Sequence, residues 1–200
     1  MSIFKRKSTE TVEPTFEAGT AALADISGSY TIDPSHTYIG FQARHAMVTT
    51  VRGAFKEFQG AATVDAATPA NSSVELTIAV NSVDTGTADR DGHLASADFF
   101  DVEKYPAISF RSTSVEADGD DWLITGDLTI KDVTKPVTVP FEFTGSAQDP
   151  FGNTRIGFEG EVAVNRKDWN LTWNAALETG GVLVSEKVKL KFDISAIKNA

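Results

Sequence analysis

The sequence predicts an all-β domain of about eight or nine antiparallel strands. Two observations carry that reading. From Tyr30 onward, apolar side chains recur at every second position, the period of a strand with one buried face. The runs are separated by short clusters of Gly, Pro, Asn, Asp and Ser, with no helix-sized pattern between them, so the crossovers that parallel strands require are excluded. A sandwich and a closed up-and-down barrel both satisfy this pattern.

The first segment stands apart from the rest. Lys5, Arg6 and Lys7 resemble the charged start of a signal peptide, but the apolar stretch of about 7 to 15 residues that such a peptide needs is missing after them. Ser8 to Ile26 is instead rich in Thr, Glu and Ala and is broken by Pro14 and Gly19, so a disordered N-terminal tail is expected over residues 1–27 and the folded domain over 28–200. Phe4 beside the basic cluster gives only one weak signal for a membrane surface, and stable anchoring usually takes two.

In the body, Ile39, Phe41, Ala43 and His45 share one face of a strand. Val74, Leu76, Ile78 and Val80 alternate with Glu75, Thr77, Ala79 and Asn81. Thr87 to Phe100 breaks the β pattern. Thr87 or Asp89 can cap a short helix there and Asp98 can open the exit turn, so a helical insertion is predicted near 88–98.

Beyond the insertion, Trp122, Ile124, Leu128 and Ile130 share a face with Gly126. Val137, Val139, Phe141 and Phe143 form the next stripe, Ile156, Phe158, Val162 and Val164 another, and Val188, Leu190, Phe192 and Ile194 the last. Turns are expected at 65–73, 118–121, 131–136, 146–153 and 179–181.

Composition excludes several classes of function. No window approaches the roughly 18 consecutive apolar residues of a membrane-spanning helix. The absence of cysteine removes disulfides, thiolate metal sites and a cysteine nucleophile. A net charge of −10 opposes a nucleic-acid partner, since phosphate binding rests on Lys and Arg. No Gly-x-Ser-x-Gly, His-Glu-x-x-His, phosphate-binding or dinucleotide motif is present.

Polar residues that do not fit strands or turns gather at 36–45, 90–93 and 165–173. Asp89, Arg90, Asp91 and His93 precede the apolar Leu94, Phe99 and Phe100, where acids, a base and aromatics can meet. The plainer reading is that Arg90 pairs with a neighbouring carboxylate and His93 caps the segment. His36, His45 and His93 could bind zinc only if they converge, yet His36 and His45 are nine residues apart and fall on opposite faces of a regular strand.

Tyr30-Thr31-Ile32-Asp33-Pro34-Ser35-His36, Ile39-Gly40-Phe41 and His45 resemble the opening signature of the YceI-like family. The similarity continues in order through Val51-Arg52-Gly53-Ala54-Phe55, Ser82-Val83-Asp84-Thr85, Arg90-Asp91-Gly92-His93-Leu94, Asp98-Phe99-Phe100, Phe110-Arg111-Ser112, Gly126 to Val137 and Val184 to Lys191, covering about residues 28–197. Two departures are Asp132, where many members read Gly, and Asn170, where a small residue usually comes after the aromatic of Asn165-Arg166-Lys167-Asp168-Trp169.

The resemblance implies a lipocalin-like, extended antiparallel β-barrel of about eight strands. Its lumen would hold a long amphiphile, an isoprenoid, quinone or similar lipid, with no further cofactor required. The 13 phenylalanines can line such a tube. The expected ligand-binding residues are Phe41, Phe99, Phe100 and Phe110 along the lumen and His45, Arg90, Asp91 and His93 at its mouth. No catalytic or metal-binding residue is assigned.

The expectation is therefore a non-enzymatic carrier or store of a lipid, either alone or as a homodimer. Many relatives are periplasmic, whereas the missing apolar stretch after Lys7 points to a cytoplasmic address. Two alternatives remain: a histidine-dependent metal enzyme or redox partner, and a barrel filled by its own side chains.

Overall fold

The computed structural model describes residues 26–119, 121–178 and 180–200. Eleven strands form one antiparallel sheet. They are β1 (Gly28–Ile32), β2 (Tyr38–His45), β3 (Thr49–Phe55), β4 (Phe58–Val64), β5 (Ser73–Ala79), β6 (Val83–Asp84), β7 (Ala107–Asp118), β8 (Asp121–Ile130), β9 (Val133–Gln148), β10 (Thr154–Asn165) and β11 (Val184–Lys198). Helix α1 (Ala88–Ala95) falls within the predicted insertion, with Thr87 at its N-cap.

Hydrogen bonding runs β1-β4-β5-β7-β8-β9-β10-β11 and returns to β1, which closes an eight-stranded barrel. The closing seam sets Tyr30 opposite Lys198 and Ile32 opposite Ala196. The remaining strands continue the same wall: β2 comes after β1 and pairs with β11, β3 pairs with β2, and β6 pairs with β3. Three barrel strands are thus each broken once, at residues 33–37, 56–57 and 80–82. Closure pairs the ring strands on both sides in the lower half, while in the upper half β6 pairs only with β3 and β9 over 133–140 pairs only with β8.

The middle breaks are stitched by one hydroxyl. Ser82 Oγ accepts from the backbone N–H of Lys56 (3.1 Å) and of Glu57 (3.0 Å) and donates to Ala79 O (2.7 Å). The backbone groups that a broken ladder would otherwise orphan are satisfied there. At the upper end, the β2–β3 hairpin turns through Ala46 and Met47, both left-handed at φ 49 and 59. The Arg44 guanidinium holds that turn by donating to Met47 O and Val48 O.

Two predicted turns are shorter than the sequence suggested. The turn at 131–136 reduces to Lys131 and Asp132, and the turn at 146–153 begins only after Gln148. Pro136, placed in a turn from the sequence, lies inside β9 together with Pro140. Along 133–140 that strand pairs with β8 on one side only, and β10 joins it from Phe141 onward, so the missing proline N–H groups cost no ladder bond on the open side.

Residues 1–25 of the expected tail lie outside the described residues. Ile26 and Ser27, placed in the tail from the sequence, pack onto the barrel. Ile26 is buried with Tyr30, Val64, Val115 and Trp122 in a cluster at the lower end, and its carbonyl accepts from Tyr30 Oη at 2.7 Å. A larger cluster around Phe55, Ile78, Phe99 and Trp169 occupies the upper half.

An ionic network ties the first break to the β9–β10 turn. Arg155 Nη1 donates to Asp33 Oδ2 (2.6 Å) and Arg155 Nε to Asp149 Oδ2 (2.8 Å), while His36 Nδ1 lies 2.7 Å from Asp33 Oδ2. The guanidinium of Arg155, then His36, holds the Asp33 carboxyl far below its ordinary value of 3.8. Asn153, then Arg155, does the same for Asp149.

A carboxylate depressed in the folded state contributes its stability in full above the unfolded value and loses it as pH falls toward the folded value. The urea midpoint is therefore expected to drop as the solution is acidified below about pH 4. Asp33→Asn should lower the midpoint at neutral pH and flatten that acid limb. An acid limb as steep as the wild type's would remove Asp33 from the account.

Candidate ligand-binding lumen

Alternation along the strands places one stripe of each inside the barrel. The inward stripes enclose a cavity of about 250 Å³, reaching from Phe99 and Leu171 in the upper half to Trp122 and Ala196 in the lower. Its wall is almost wholly apolar, and among the described residues Arg166 is the single charged side chain that lines it. Such a space holds an apolar chain well and offers a free polar solute nothing.

The predicted aromatic residues converge there. Phe41 on β2, Phe110 on β7, and Phe99 and Phe100 beyond α1 all line the lumen. Phe55 bridges two of them, with its ring centre 5.9 Å from Phe41 and 6.0 Å from Phe100.

The predicted polar residues are not drawn into one group. His45 keeps the inward parity of Ile39 and Phe41, but β2 carries it past the upper rim, where it is exposed opposite Val184 and Thr49. Arg90 donates from Nε to Thr85 Oγ1 and from Nη2 to Thr85 O, both at 2.7 Å, and Asp91 Oδ1 accepts from Thr85 N at 2.8 Å. The expected Arg90–carboxylate pair is thus replaced by bonds to a hydroxyl and a carbonyl, and both side chains fasten α1 to the end of β6.

His93 packs against Phe99, which lines the cavity. Its Nε2 lies 2.9 Å from Asp98 Oδ2, and its ring meets Phe99 at 5.1 Å and Trp173 at 4.6 Å, both edge-to-face. His36, His45 and His93 occupy three separate places, and among the described residues no group of three His, Cys, Asp or Glu side chains could hold a metal ion.

Arg166 stood in the sequence within a polar stretch and the family motif Asn165-Arg166-Lys167-Asp168-Trp169, and was not assigned to the lumen. It opens the 3-10 turn Arg166–Trp169 and is 5% exposed. Its Nε donates to Ser185 O (3.0 Å), Nη1 to Leu171 O and Nη2 to Val184 O (3.5 Å), with the guanidinium 6.0 Å from the centre of the Phe99 ring. Burial pushes the guanidinium down from its ordinary value. Carbonyl oxygens accept its N–H groups and the charge of Glu186 opposes the effect of burial, so the residue ties the turn after β10 to β11 at the head of the lumen.

A family model described as the YceI-like domain matches residues 30–196. The chain belongs to the YceI-like family. The matched span begins at Tyr30, on the closing seam, and ends at Ala196, opposite Ile32 across the same seam, so the YceI-like domain and the closed barrel coincide. Protein YceI of Escherichia coli O17:K52:H18 is 46% identical over 158 residues, covering 78% of this chain and 81% of the relative. Protein YceI of Salmonella newport is 43% identical over 159 residues, with the same coverage of 78% and 81%.

Solved structures agree on the architecture. BcnA of Burkholderia cenocepacia superposes with a TM-score of 0.72 at 28% identity, covering 82% of this chain and 98% of BcnA. The YceI protein of Campylobacter jejuni gives 0.68 at 28% identity, with 78% and 90% covered. A polyisoprenoid-binding domain from Saccharophagus degradans, implicated in plant cell wall breakdown, gives 0.66 at 19% identity, with 85% and 98% covered, which speaks to the fold alone.

Proposed function

We propose that this YceI-like barrel binds an isoprenoid-type amphiphile, a polyprenyl lipid, quinone or similar molecule, and stores or carries it without acting on it chemically. The observation that carries the reading is the apolar lumen running through a closed barrel, with one charged residue on its wall among the described residues. The name of the Saccharophagus degradans neighbour supports the same ligand class. Burying a methylene contributes about 0.8 kcal/mol, so ten carbons of chain contribute roughly 8 kcal/mol before ordering costs. The tail supplies the affinity.

In this reading Phe41, Phe99, Phe100 and Phe110 contact the chain, and the head group rests at the upper mouth. His93 stands beside Phe99, Arg90 and Asp91 are bonded to Thr85, and His45 lies at the exposed end of β2. A photoreactive head group on a prenyl chain should label this end.

Organic extraction of the purified protein and mass spectrometry of the extract test the function. A stoichiometric isoprenoid or quinone, absent from an unrelated protein of the same preparation, is the expected result. If the extract is empty and the protein also fails to take up added prenyl lipid, the lumen is not a carrier site.

A further inference from the structure

Three glycines on the lumen face of the barrel share one arrangement. Gly53 on β3 lies directly opposite Phe41, Gly160 on β10 directly opposite Phe141, and Gly126 on β8 diagonally from Phe110. All three phenylalanines line the cavity. A Cβ added at any of these glycines would fall under 3.0 Å from the ring of its partner. Each ring therefore lies where the glycine has no side chain, drawn back against the wall.

We propose that Gly53, Gly126 and Gly160 set the bore of the lumen by giving three phenylalanine rings a recess in the wall, which leaves room for a methyl-branched chain rather than only a straight one. The inference rests on the lipid-carrier reading and adds which chains the carrier accepts. An isoprenoid bears a methyl on every fourth backbone carbon and needs a wider channel than a polymethylene chain. Side chains in a packed wall leave a recess only into free space. For Phe41 the strand wall lies behind the ring and Phe55 stands 5.9 Å to one side, so the open direction is the lumen.

Gly53 provides the cleanest test. The atoms nearest its added Cβ belong to side chains, the ring of Phe41 and Thr85 Cγ2 at 2.9 Å. At Gly126 and Gly160 the added Cβ would also crowd a backbone carbonyl, Arg111 O at 2.6 Å and Pro140 O at 2.8 Å. Gly53→Ala can thus be accommodated by moving a ring, whereas the other two would also strain the sheet.

The experiment measures binding of phytanol (3,7,11,15-tetramethylhexadecan-1-ol) and hexadecanol, which have the same saturated 16-carbon backbone with and without methyl branches, to wild type, Gly53→Ala, Gly53→Ala/Phe41→Leu and Phe41→Trp. Gly53→Ala should weaken phytanol about tenfold, the effect of one or two displaced methyl contacts, and change hexadecanol by about twofold or less. Trimming the displaced ring with Phe41→Leu should restore the branched chain. Phe41→Trp, which keeps the glycine and enlarges the ring, should weaken the branched alcohol more than the straight one and serves if Gly53→Ala does not fold.

Equal losses for both alcohols, no loss for either, or failure of the double variant to recover would overturn the inference while leaving the carrier reading in place. Failure of the wild type to bind either alcohol would overturn the carrier reading and this inference together.

Discussion

Trp169→Ala is expected to lower the unfolding free energy by about 3–5 kcal/mol. Trp169 is 2% exposed and closes the gap left where the upper half of β9 has no pairing with β10. Its Nε1 donates to Leu128 O at 3.0 Å, so the indole joins the 3-10 turn to β8 by packing and by a hydrogen bond together. The alanine variant loses both. Trp169→Phe retains most of the packing and loses the bond, and about 1–2 kcal/mol is expected for it. Urea denaturation of the two variants separates the contributions. Similar midpoints for Trp169→Phe and Trp169→Ala would mean that the hydrogen bond, and not the packing, holds the turn in place.

Asn170 ends the turn and lets Trp169 reach β8. It takes the left-handed conformation at φ 59, and its backbone N–H bonds back to Lys167 O at 3.1 Å. Asparagine tolerates that region better than most residues, so the departure from the usual small residue at this position leaves the turn intact. Asp132 is similarly harmless, because the left-handed residue of its turn is the preceding Lys131, at φ 57.

The period-two stripes were enough to place β5, β8, β10 and β11, because a strand with one face in a core must alternate. They could not decide between a sandwich and a barrel. Both architectures bury one face of every strand, and only the pairing of β1 with β11 closes the ring. Nor did the pattern mark the breaks at 33–37, 56–57 and 80–82, since each keeps an apolar residue on either side and is held by contacts distant in sequence, such as Ser82 Oγ to Lys56 N.

The site was legible to the same degree. Phe41 shares a stripe with Ile39 in the sequence and Phe110 enters through the motif Phe110-Arg111-Ser112. Alternation alone did not say which face of either strand turns inward, where the fold puts both. His45 shares the stripe of Phe41 and is nevertheless exposed, because alternation says which face a residue occupies and not how far the core extends along the strand. Arg166 gave the opposite result. Its burial depends on the carbonyls of Leu171, Val184 and Ser185, which only the folded chain brings to it.

Trp122→Ala is expected to raise the longest prenyl chain the barrel accepts. Trp122 is 6% exposed, faces the lower end of the lumen and meets Phe158 edge-to-face at 6.0 Å. It stands above the floor formed by Tyr30 and Ile26. Removing the indole extends the cavity downward and leaves apolar surface unfilled, at a cost of about 3 kcal/mol or more in the empty protein. A longer chain can occupy the new space. Three further methylenes reaching it contribute about 2 kcal/mol, or roughly thirtyfold in affinity. The preferred ligand in a series of all-trans prenols should therefore shift to greater length, and the long prenol should recover part of the lost thermal stability, because a ligand bound only by the folded state stabilises it. The two readouts must move together if one cavity underlies both. A loss of stability with an unchanged chain-length profile would place the end of the ligand above Trp122 and make the lower cluster a structural floor alone.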